Sequence, residues 1–347
     1  LIFLQSIGPR LGGLLTKDIG ELKRIFLSPG PIFDPEDRMD DYWGYTEAFY
    51  SVGFRPGDVV QVTFNYHLSP AGLMFEEPLR NLGCASIPAG PTDPGTQLDI
   101  MQKLRVSGYV GTASYLMHLA QKAEEKGINL RKDLFQEVAF VTGERLSEKM
   151  RNQLEKKFDI ILRQGYGTAD VGCIGYECFH KTGLHISNRC YVEICHPDTG
   201  IPLKDGEVGE IVVTSFNKTY PLIRLATGDL SYIDRAPCAC GRTSPRLGSI
   251  VGRVDTTARI KGMFVYPHQV EQVMARFEDI KRWQIEVINP GGIDEMILYV
   301  EASNFHQEDE LLHLFRERIK LRPELKVLAP GTLPPQIKPI EDKREWD

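Results

Sequence analysis

The feature that most constrains this chain is the alternation, through its first half, of short apolar runs with longer stretches of helical pattern. Val59-Val60-Gln61-Val62-Thr63-Phe64, Cys84-Ala85-Ser86-Ile87-Pro88, Tyr109-Val110-Gly111, Val138 to Thr142 and Ile160-Ile161-Leu162 read as strands. Asp40 to Gly53, Ser69 to Leu82, Thr96 to Leu104, Ser114 to Lys126 and Ser147 to Lys157 read as helices, and Gly53 and Gly83 stop two of them. Strands separated by helices imply a largely parallel sheet covered by those helices. In such sheets ligands collect in loops at the carboxyl ends of strands. The loops after Thr142 and Leu162 are therefore the first places to expect a site.

From about Tyr191 the texture changes. Val192-Glu193-Ile194, Gly209 to Thr214 and Leu222-Ile223-Arg224 are β-rich and separated by turns such as Asp198-Thr199-Gly200. This suggests an antiparallel, barrel-like subdomain over about 190–250. Beyond Gly252 a helix near His268 to Phe277, strands at Trp283 to Ile288 and Glu295 to Glu301, and a helix from Glu308 to Arg322 form a small α+β unit. The expected fold class is α/β. A large N-terminal domain (1–252), with mainly parallel strands under helices plus the β-rich subdomain, precedes a small mobile C-terminal domain (253–347). Arg253 to Asp255 read as the hinge.

Composition excludes several classes. A net charge of −6 over 347 residues exerts no general pull on nucleic acid or anionic membranes. No stretch approaches the roughly 20 apolar residues of a membrane span, and no charged-then-apolar leader opens the sequence. Seven cysteines, an odd number, argue against a secreted disulfide framework. The expected setting is a reducing cytoplasm, with neither nucleic acid nor membrane as partner.

Four stretches carry chemistry, in one order. They are Gln164-Gly165-Tyr166-Gly167-Thr168-Ala169-Asp170; Tyr220-Pro221-Leu222-Ile223-Arg224-Leu225-Ala226-Thr227-Gly228-Asp229-Leu230; Gly252 to Gly262, containing Arg253, Asp255 and Lys261; and Met263 to Glu271. Thr-Gly-Asp alone is a common turn, but four stretches in this order and spacing are specific. From about Arg24 to the C-terminus the chain resembles the phenylacetate–CoA ligase-like family of the adenylate-forming superfamily. The resemblance implies an AMP-forming acid–CoA ligase that uses ATP, Mg2+, CoA and a small-molecule carboxylic acid, and it leaves room for a homodimer. An adenylyltransferase of the same fold without a CoA step, and a degenerate nucleotide- or acid-binding protein, are the alternatives.

The resemblance also implies roles. Asp229 would hold the ribose hydroxyls, and Gly143 and Glu144 would line the adenine. Tyr166 would stack on the base or line the acid pocket, with a plain core aromatic as the alternative. Gly167, Thr168 and Asp170 fall where the family has a hydroxyl residue and an acidic Mg2+ ligand, although Ala169 occupies the usual hydroxyl position. Arg253 would mark the linker, and Lys261 would face the thiol in the second step. Lys338, with Lys343 as runner-up, would reach the α-phosphate, and a solvated tail lysine is its alternative. An acid pocket would draw on Phe64 to Met74 and Tyr166 to Gly175, and its aromatic character suits an aryl or small organic acid.

Two departures from the family pattern stand out. The Gly-rich phosphate loop is replaced by Arg24-Ile25-Phe26-Leu27-Ser28-Pro29-Gly30-Pro31-Ile32-Phe33, whose two prolines offer no backbone N–H. The C-terminal Gly-Lys is missing from Pro330 to Arg344. Separately, Cys178-x6-His185 and Cys238-x-Cys240 offer three thiolates and an imidazole for a structural Zn2+. His180 is the alternative imidazole, and buried reduced cysteines are the alternative to a metal.

Overall fold

A computed structural model describes residues 1–344 except Asp198, Val251, 255–257, Lys261, Gly262, Tyr266, Asn304 and Gln336. The chain divides into two compact units, Leu1–Val254 and Asp255–Asp347.

In the first unit the strands are β1 Arg24–Ser28, β2 Ile32–Glu36, β3 Val59–Val62, β4 Ala85–Pro88, β5 Gly108–Gly111, β6 Val138–Val141, β7 Ile161–Thr168 and β8 Gly172–Glu177. They continue with β9 Leu184–Ile186, β10 Cys190–Cys195, β11 Gly209–Ser215, β12 Leu225–Ser231, β13 Ile233–Asp234, β14 Arg246–Leu247 and β15 Gly252–Arg253. The helices are α1 Ile2–Ile7, α2 Thr46–Val52, α3 Ala71–Asn81, α4 Pro94–Lys103, α5 Ala113–Glu125 and α6 Glu148–Phe158.

Among the described residues, nine strands form one sheet in the order β13-β14-β9-β8-β7-β6-β5-β3-β4. From β4 to β7 every pairing is parallel, as strand–helix alternation requires. From β7 onward the pairings are antiparallel. Helices cover both faces of the parallel part. Phe49, Phe75 and Leu79 pack with Val60 and Phe140 on one side; Leu98, Leu116, Leu119 and Leu154 pack with Tyr109 and Leu162 on the other. The helix starts are chemically set. Asp93 accepts from the amides of Gly95 and Thr96 ahead of α4, Thr112 from Tyr115, and Ser147 from Met150. A second sheet runs β10-β11-β12-β15, wholly antiparallel, and shares an apolar core with Leu184, Ile186 and Leu247 of the large sheet.

Two of the expected strands in the first unit lie elsewhere than the sequence reading placed them. Strand β7 runs on past Leu162, through Arg163 and Gln164, whose polarity interrupts the apolar pattern. Gln164 is held by buried Glu177, which receives Gln164 N at 3.0 Å and Gln164 Nε2 at 2.9 Å beside a bidentate pair with Arg151 at 2.6 and 2.9 Å, while Arg163 Nη1 donates to Leu162 O at 2.9 Å and to Glu155 Oε1 at 3.5 Å. The strand expected at Leu222 to Arg224 instead begins at Leu225, because Arg224 adopts a left-handed φ of 52° that breaks the extended run.

In the second unit the strands are β16 Ala258–Ile260, β17 Met263–Val265, β18 Arg282–Ile288, β19 Glu295–Glu301, β20 Glu324–Leu328 and β21 Ile340–Asp342, with α7 Pro267–Met274 and α8 Glu308–Ile319. A four-stranded sheet, β20-β19-β18-β21, packs Ile285, Val287, Leu298 and Val300 against Val270, Val273, Leu311 and Phe315 of the helices. No helix among the described residues is long and apolar enough to cross a membrane.

Candidate functional site

Asp229 lies in β12 directly opposite Arg253 in β15, and this register sets the first contact. Arg253 Nη1 donates to Asp229 Oδ1 at 2.8 Å, and the two side chains are 25% and 15% exposed. Tyr166, at the antiparallel end of β7, donates its hydroxyl to Asp229 Oδ2 at 2.8 Å. Thr227 completes the frame: its Oγ1 lies 3.2 Å from the phenol oxygen, accepts the Asp229 amide at 3.2 Å and donates to Ile211 O at 3.0 Å. Burial first, then the neighbouring Asp229 carboxylate, push the Tyr166 phenol well above its ordinary pKa, so it remains a donor. Gly228 is required between them. Its φ is +78°, and a Cβ there would stand 2.6 Å from Arg253 Nη2.

Gly143 and Glu144 follow β6 at the carboxyl edge of the parallel sheet. Gly143 takes a left-handed φ of 87°, which turns the chain toward α5. Glu144 accepts from Ser114 N at 2.6 Å and from Ser114 Oγ at 2.8 Å, placing a carboxylate on the amide end of that helix. Tyr109 and Thr63, under the same edge, share a hydroxyl contact of 3.2 Å.

Gly167, Thr168 and Asp170 form the β7–β8 turn. Thr168 Oγ1 accepts the Val171 amide at 3.2 Å, so its hydroxyl shapes the turn. Trp43 Nε1 donates to Ala169 O at 3.1 Å and fixes the turn from outside. Asp170 meets a carboxylate the sequence reading did not single out. Asp34, in β2, is fully buried, and burial followed by Asp170 raises its pKa strongly; burial also raises that of Asp170. The stretch replacing the phosphate loop is a tight hairpin. Strands β1 and β2 pair from Arg24↔Glu36 to Ser28↔Ile32, with Pro29 to Pro31 as the turn. The residue that follows this stretch is Asp34 itself.

Cys178, His185, Cys238 and Cys240 converge, and one ligand atom from each lies within 4.8 Å of every other. Cys178 Sγ and Cys238 Sγ are 3.7 Å apart, and Cys240 Sγ is 3.4 Å from His185 Nε2. Tetrahedral Zn2+ with bonds of about 2.3 Å to sulfur and about 2.0 Å to nitrogen has edges of roughly 3.8 and 3.5 Å. The cluster therefore matches the size of such a site. Ser244 Oγ lies 3.3 Å from His185 Nδ1 and orients the ring from behind. The Cys238 thiol is lowered because, against burial, the Cys240 amide and thiol and the His185 ring all stabilise its thiolate. His180 is exposed and stands outside the cluster.

Lys338 is exposed just before β21 of the second unit, and its carbonyl accepts from Gln284 Nε2 at 3.3 Å. Lys343 is engaged with Glu286 at 2.6 Å and Glu341 at 3.5 Å. Lys261 and Asp255 lie outside the described residues. Sequence reasoning missed Asp34, Ser114, Trp43 and Ser244, because each is a single polar or aromatic residue whose role exists only through a partner distant in sequence.

Comparison with known proteins follows the same division of the chain. Residues 43–218 match the family model described as AMP-binding enzyme, and residues 262–344 match the AMP-binding enzyme C-terminal domain. The phenylacetate-coenzyme A ligase of Thermus thermophilus is 32% identical over 307 residues, 82% of this chain and 69% of that enzyme. That of Escherichia coli is 28% identical over 318 residues, 85% and 71% of the two chains. The Pseudomonas putida enzyme is 30% identical over 257 residues, and the match spans only 58% of its length. The crystal structure of 2-hydroxyisobutyryl-CoA ligase with 2-HIB-AMP and CoA has a TM-score of 0.90 at 22% identity, covering 99% of this chain and 79% of that one. At that identity the match speaks for the fold. The relatedness in sequence carries more: the chain belongs to the AMP-binding enzymes and, within them, to the ATP-dependent, AMP-forming acid–CoA ligases typified by phenylacetate–CoA ligase.

Proposed function

We propose that this chain activates an aromatic or small organic acid with ATP and passes the acyl group to CoA, using Asp229 as the centre of its nucleotide site. The observation that carries this reading is the convergence of Tyr166 and Arg253 on the Asp229 carboxylate. A carboxylate fixed on both sides is preorganised to accept hydroxyls from a ribose in one orientation, with little side-chain entropy left to lose.

In the first step a carboxylate oxygen of the acid attacks the α-phosphorus of ATP, and pyrophosphate leaves with the electrons of the P–O bond. The loop of Gly143 and Glu144, at the strand ends beside Asp229's partner Tyr166, lines the adenine. In the second step the CoA thiol, losing its proton, attacks the acyl carbonyl, and AMP leaves. Lys338 serves the first step by setting its positive charge against the oxygens of the α-phosphoryl group undergoing transfer. Lys261 serves the second. Arg253, tied to Asp229 and next to the junction of the two units, would couple nucleotide occupancy to the linker.

The acid pocket draws on Phe64, Tyr66 and the β7–β8 turn. Phe64 and Phe75 rings lie 4.9 Å apart, and the Tyr66 ring lies over Gly72, where a Cβ would come within 2.6 Å. Aromatic walls of this kind favour an aryl or compact branched acid over a long flexible chain.

Magnesium fits the residues present, because Asp170 Oδ1 is a buried carboxylate oxygen without a hydrogen-bond partner and carboxylates suit a hard cation. Bound at Asp170, it would neutralise phosphate charge as pyrophosphate departs. Zinc fits Cys178, His185, Cys238 and Cys240, whose four ligands close the site and give it a structural role. It would pin the β8–β9 region to the loop before β14. All seven cysteines are free, in keeping with a cytoplasmic setting.

The test is pyrophosphate release from ATP with a panel of aryl and short-chain acids, with and without CoA. The ligase reading expects acid-dependent release that CoA accelerates through multiple turnovers.

A further inference from the structure

The turn that follows β6 is held from several sides. Thr142, buried at its start, donates its hydroxyl to Gly165 O at 2.8 Å, just before Tyr166 in β7. The Thr142 amide donates to Gly111 O of β5 at 3.2 Å. Two residues on, Glu144 Oε1 accepts the Ser114 amide at 2.6 Å and Oε2 accepts the Ser114 hydroxyl at 2.8 Å. Gly143 stands between these anchors with its left-handed φ of 87°. One three-residue turn is thereby fastened to β5, β7 and α5.

Ser114 is not needed to start its own helix. Thr112 already caps α5, its side chain accepting the Tyr115 amide at 3.2 Å. The Ser114 amide is one of the first-turn donors that a helix leaves unused, and Glu144, 30 positions later, takes it. The Ser114 hydroxyl adds a second, charge-assisted bond to the same carboxylate. With that proton given to Glu144, Ser114 Oγ accepts from Thr112 Oγ1, 3.3 Å away. Tyr109, fully buried, donates to Thr112 O at 3.0 Å and fixes that residue to the sheet. The hydroxyls are aligned in one direction, from Thr112 to Ser114 to Glu144.

We propose that Ser114 is a positioning residue for the nucleotide: through Glu144 it holds the turn Thr142-Gly143-Glu144 in the shape that receives adenine. The assignment deepens the ligase reading and rests on it for the place of the base. Both carboxylate oxygens of Glu144 engage Ser114, so what the turn offers a flat base is peptide backbone, and the carboxylate serves to hold that backbone still. A turn fixed before its ligand arrives has less freedom to lose on binding. Removing the Ser114 hydroxyl therefore weakens ATP and spares the bond-making step.

The experiment measures ATP binding by calorimetry, and steady-state kinetics, for wild type, Ser114→Ala, Ser114→Thr, Glu144→Gln and the double variant Ser114→Ala with Glu144→Gln. Ser114→Ala is expected to raise Kd and KM for ATP about tenfold, the worth of one hydrogen bond to a charged group. Its kcat, and its KM for the acid, should stay within about twofold of wild type. Ser114→Thr keeps the hydroxyl and should restore wild-type values. The double variant should bind ATP no more weakly than the weaker single variant, because both changes remove one contact. Tm of Ser114→Ala should fall by no more than about 4 °C, since Thr112 keeps the cap. If Ser114→Ala does not fold, Ser114→Cys, with its weak S–H donor, replaces it. An unchanged Kd for ATP in Ser114→Ala overturns the assignment, as do additive losses in the double variant or an equal loss in kcat and in KM for the acid. Pyrophosphate release separates this from the ligase reading. A wild type that releases pyrophosphate while Ser114→Ala binds ATP normally keeps the ligase and discards Ser114. A wild type that binds ATP through Ser114, yet releases no pyrophosphate with any acid, does the reverse. A wild type that binds no ATP discards both.

Discussion

Tyr166 and Asp229 stand 63 residues apart in sequence and are joined by a 2.8 Å hydrogen bond from phenol to carboxylate. The bond ties the end of β7, in the large sheet, to β12, in the four-stranded sheet. Its position makes the orientation of Asp229 a property of both sheets together. A charge-assisted bond of this kind contributes about 1.5–3 kcal/mol when well made.

Tyr166→Phe keeps the ring and removes the donor. The expected result is a rise of roughly tenfold in KM for ATP, equivalent to about 1.4 kcal/mol, with a smaller fall in kcat. Initial-rate kinetics over a range of ATP concentrations measure it. An unchanged KM would disconnect this bond from nucleotide binding.

The two lysines should separate by half-reaction. Lys338→Ala is expected to slow adenylate formation by about a hundredfold or more, in the range of a lost oxyanion-type donor. Lys261→Ala is expected to leave adenylation intact and slow thioester formation. Single-turnover assays of each step decide the matter, and equal loss of both steps in Lys261→Ala would count against distinct roles.

Elemental analysis of protein purified without chelator should find zinc at close to one equivalent. Cys238→Ser should abolish it. If the metal contributes about 3 kcal/mol, Tm should fall by roughly 6–12 °C in a unit of this size. Zinc below about a tenth of an equivalent would leave a cluster of reduced thiols.

Arg151 and Glu177 form a bidentate pair inside the first unit, with side chains 1% and 3% exposed. Arg151→Met removes one partner and leaves a buried carboxylate, which costs about 3–5 kcal/mol. Urea unfolding should show this as a lower midpoint with an unchanged slope. Because the pair lies in the core, the activity of the fraction that remains folded should hold.

Much of this was legible from residue order. The parallel strand Val138–Val141 is a continuous apolar run, and Val59–Val62 is interrupted only by Gln61. The helix expected from Ser147 is capped by that residue, while those expected from Thr96 and Ser114 are capped slightly earlier, at Asp93 and Thr112. The cysteine–histidine cluster was readable because thiols and imidazoles are scarce and their spacing is restrictive. β7 was cut short because Arg163 and Gln164 break its pattern, and their partners, Glu155 of α6 for Arg163 and Glu177 of β8 for Gln164, are brought to them only by the fold. β20 and β21 were invisible for a related reason. Their half-exposed, charged sequences, Glu-Leu-Lys-Val-Leu and Ile-Glu-Asp, extend mainly because neighbouring strands hold them. Asp34 was the hardest to find, since nothing in Phe33-Asp34-Pro35 announces that a second carboxylate waits 136 positions later (170 − 34).

The central account is tested most directly by Asp229→Ala in the pyrophosphate-release assay, beside wild type, with ATP, Mg2+, an acid panel and CoA present or absent. The account predicts acid-dependent release by wild type that CoA accelerates, and no release above background by Asp229→Ala with folding intact. Undiminished release by Asp229→Ala, or acid-dependent release by wild type that CoA never accelerates, would contradict it.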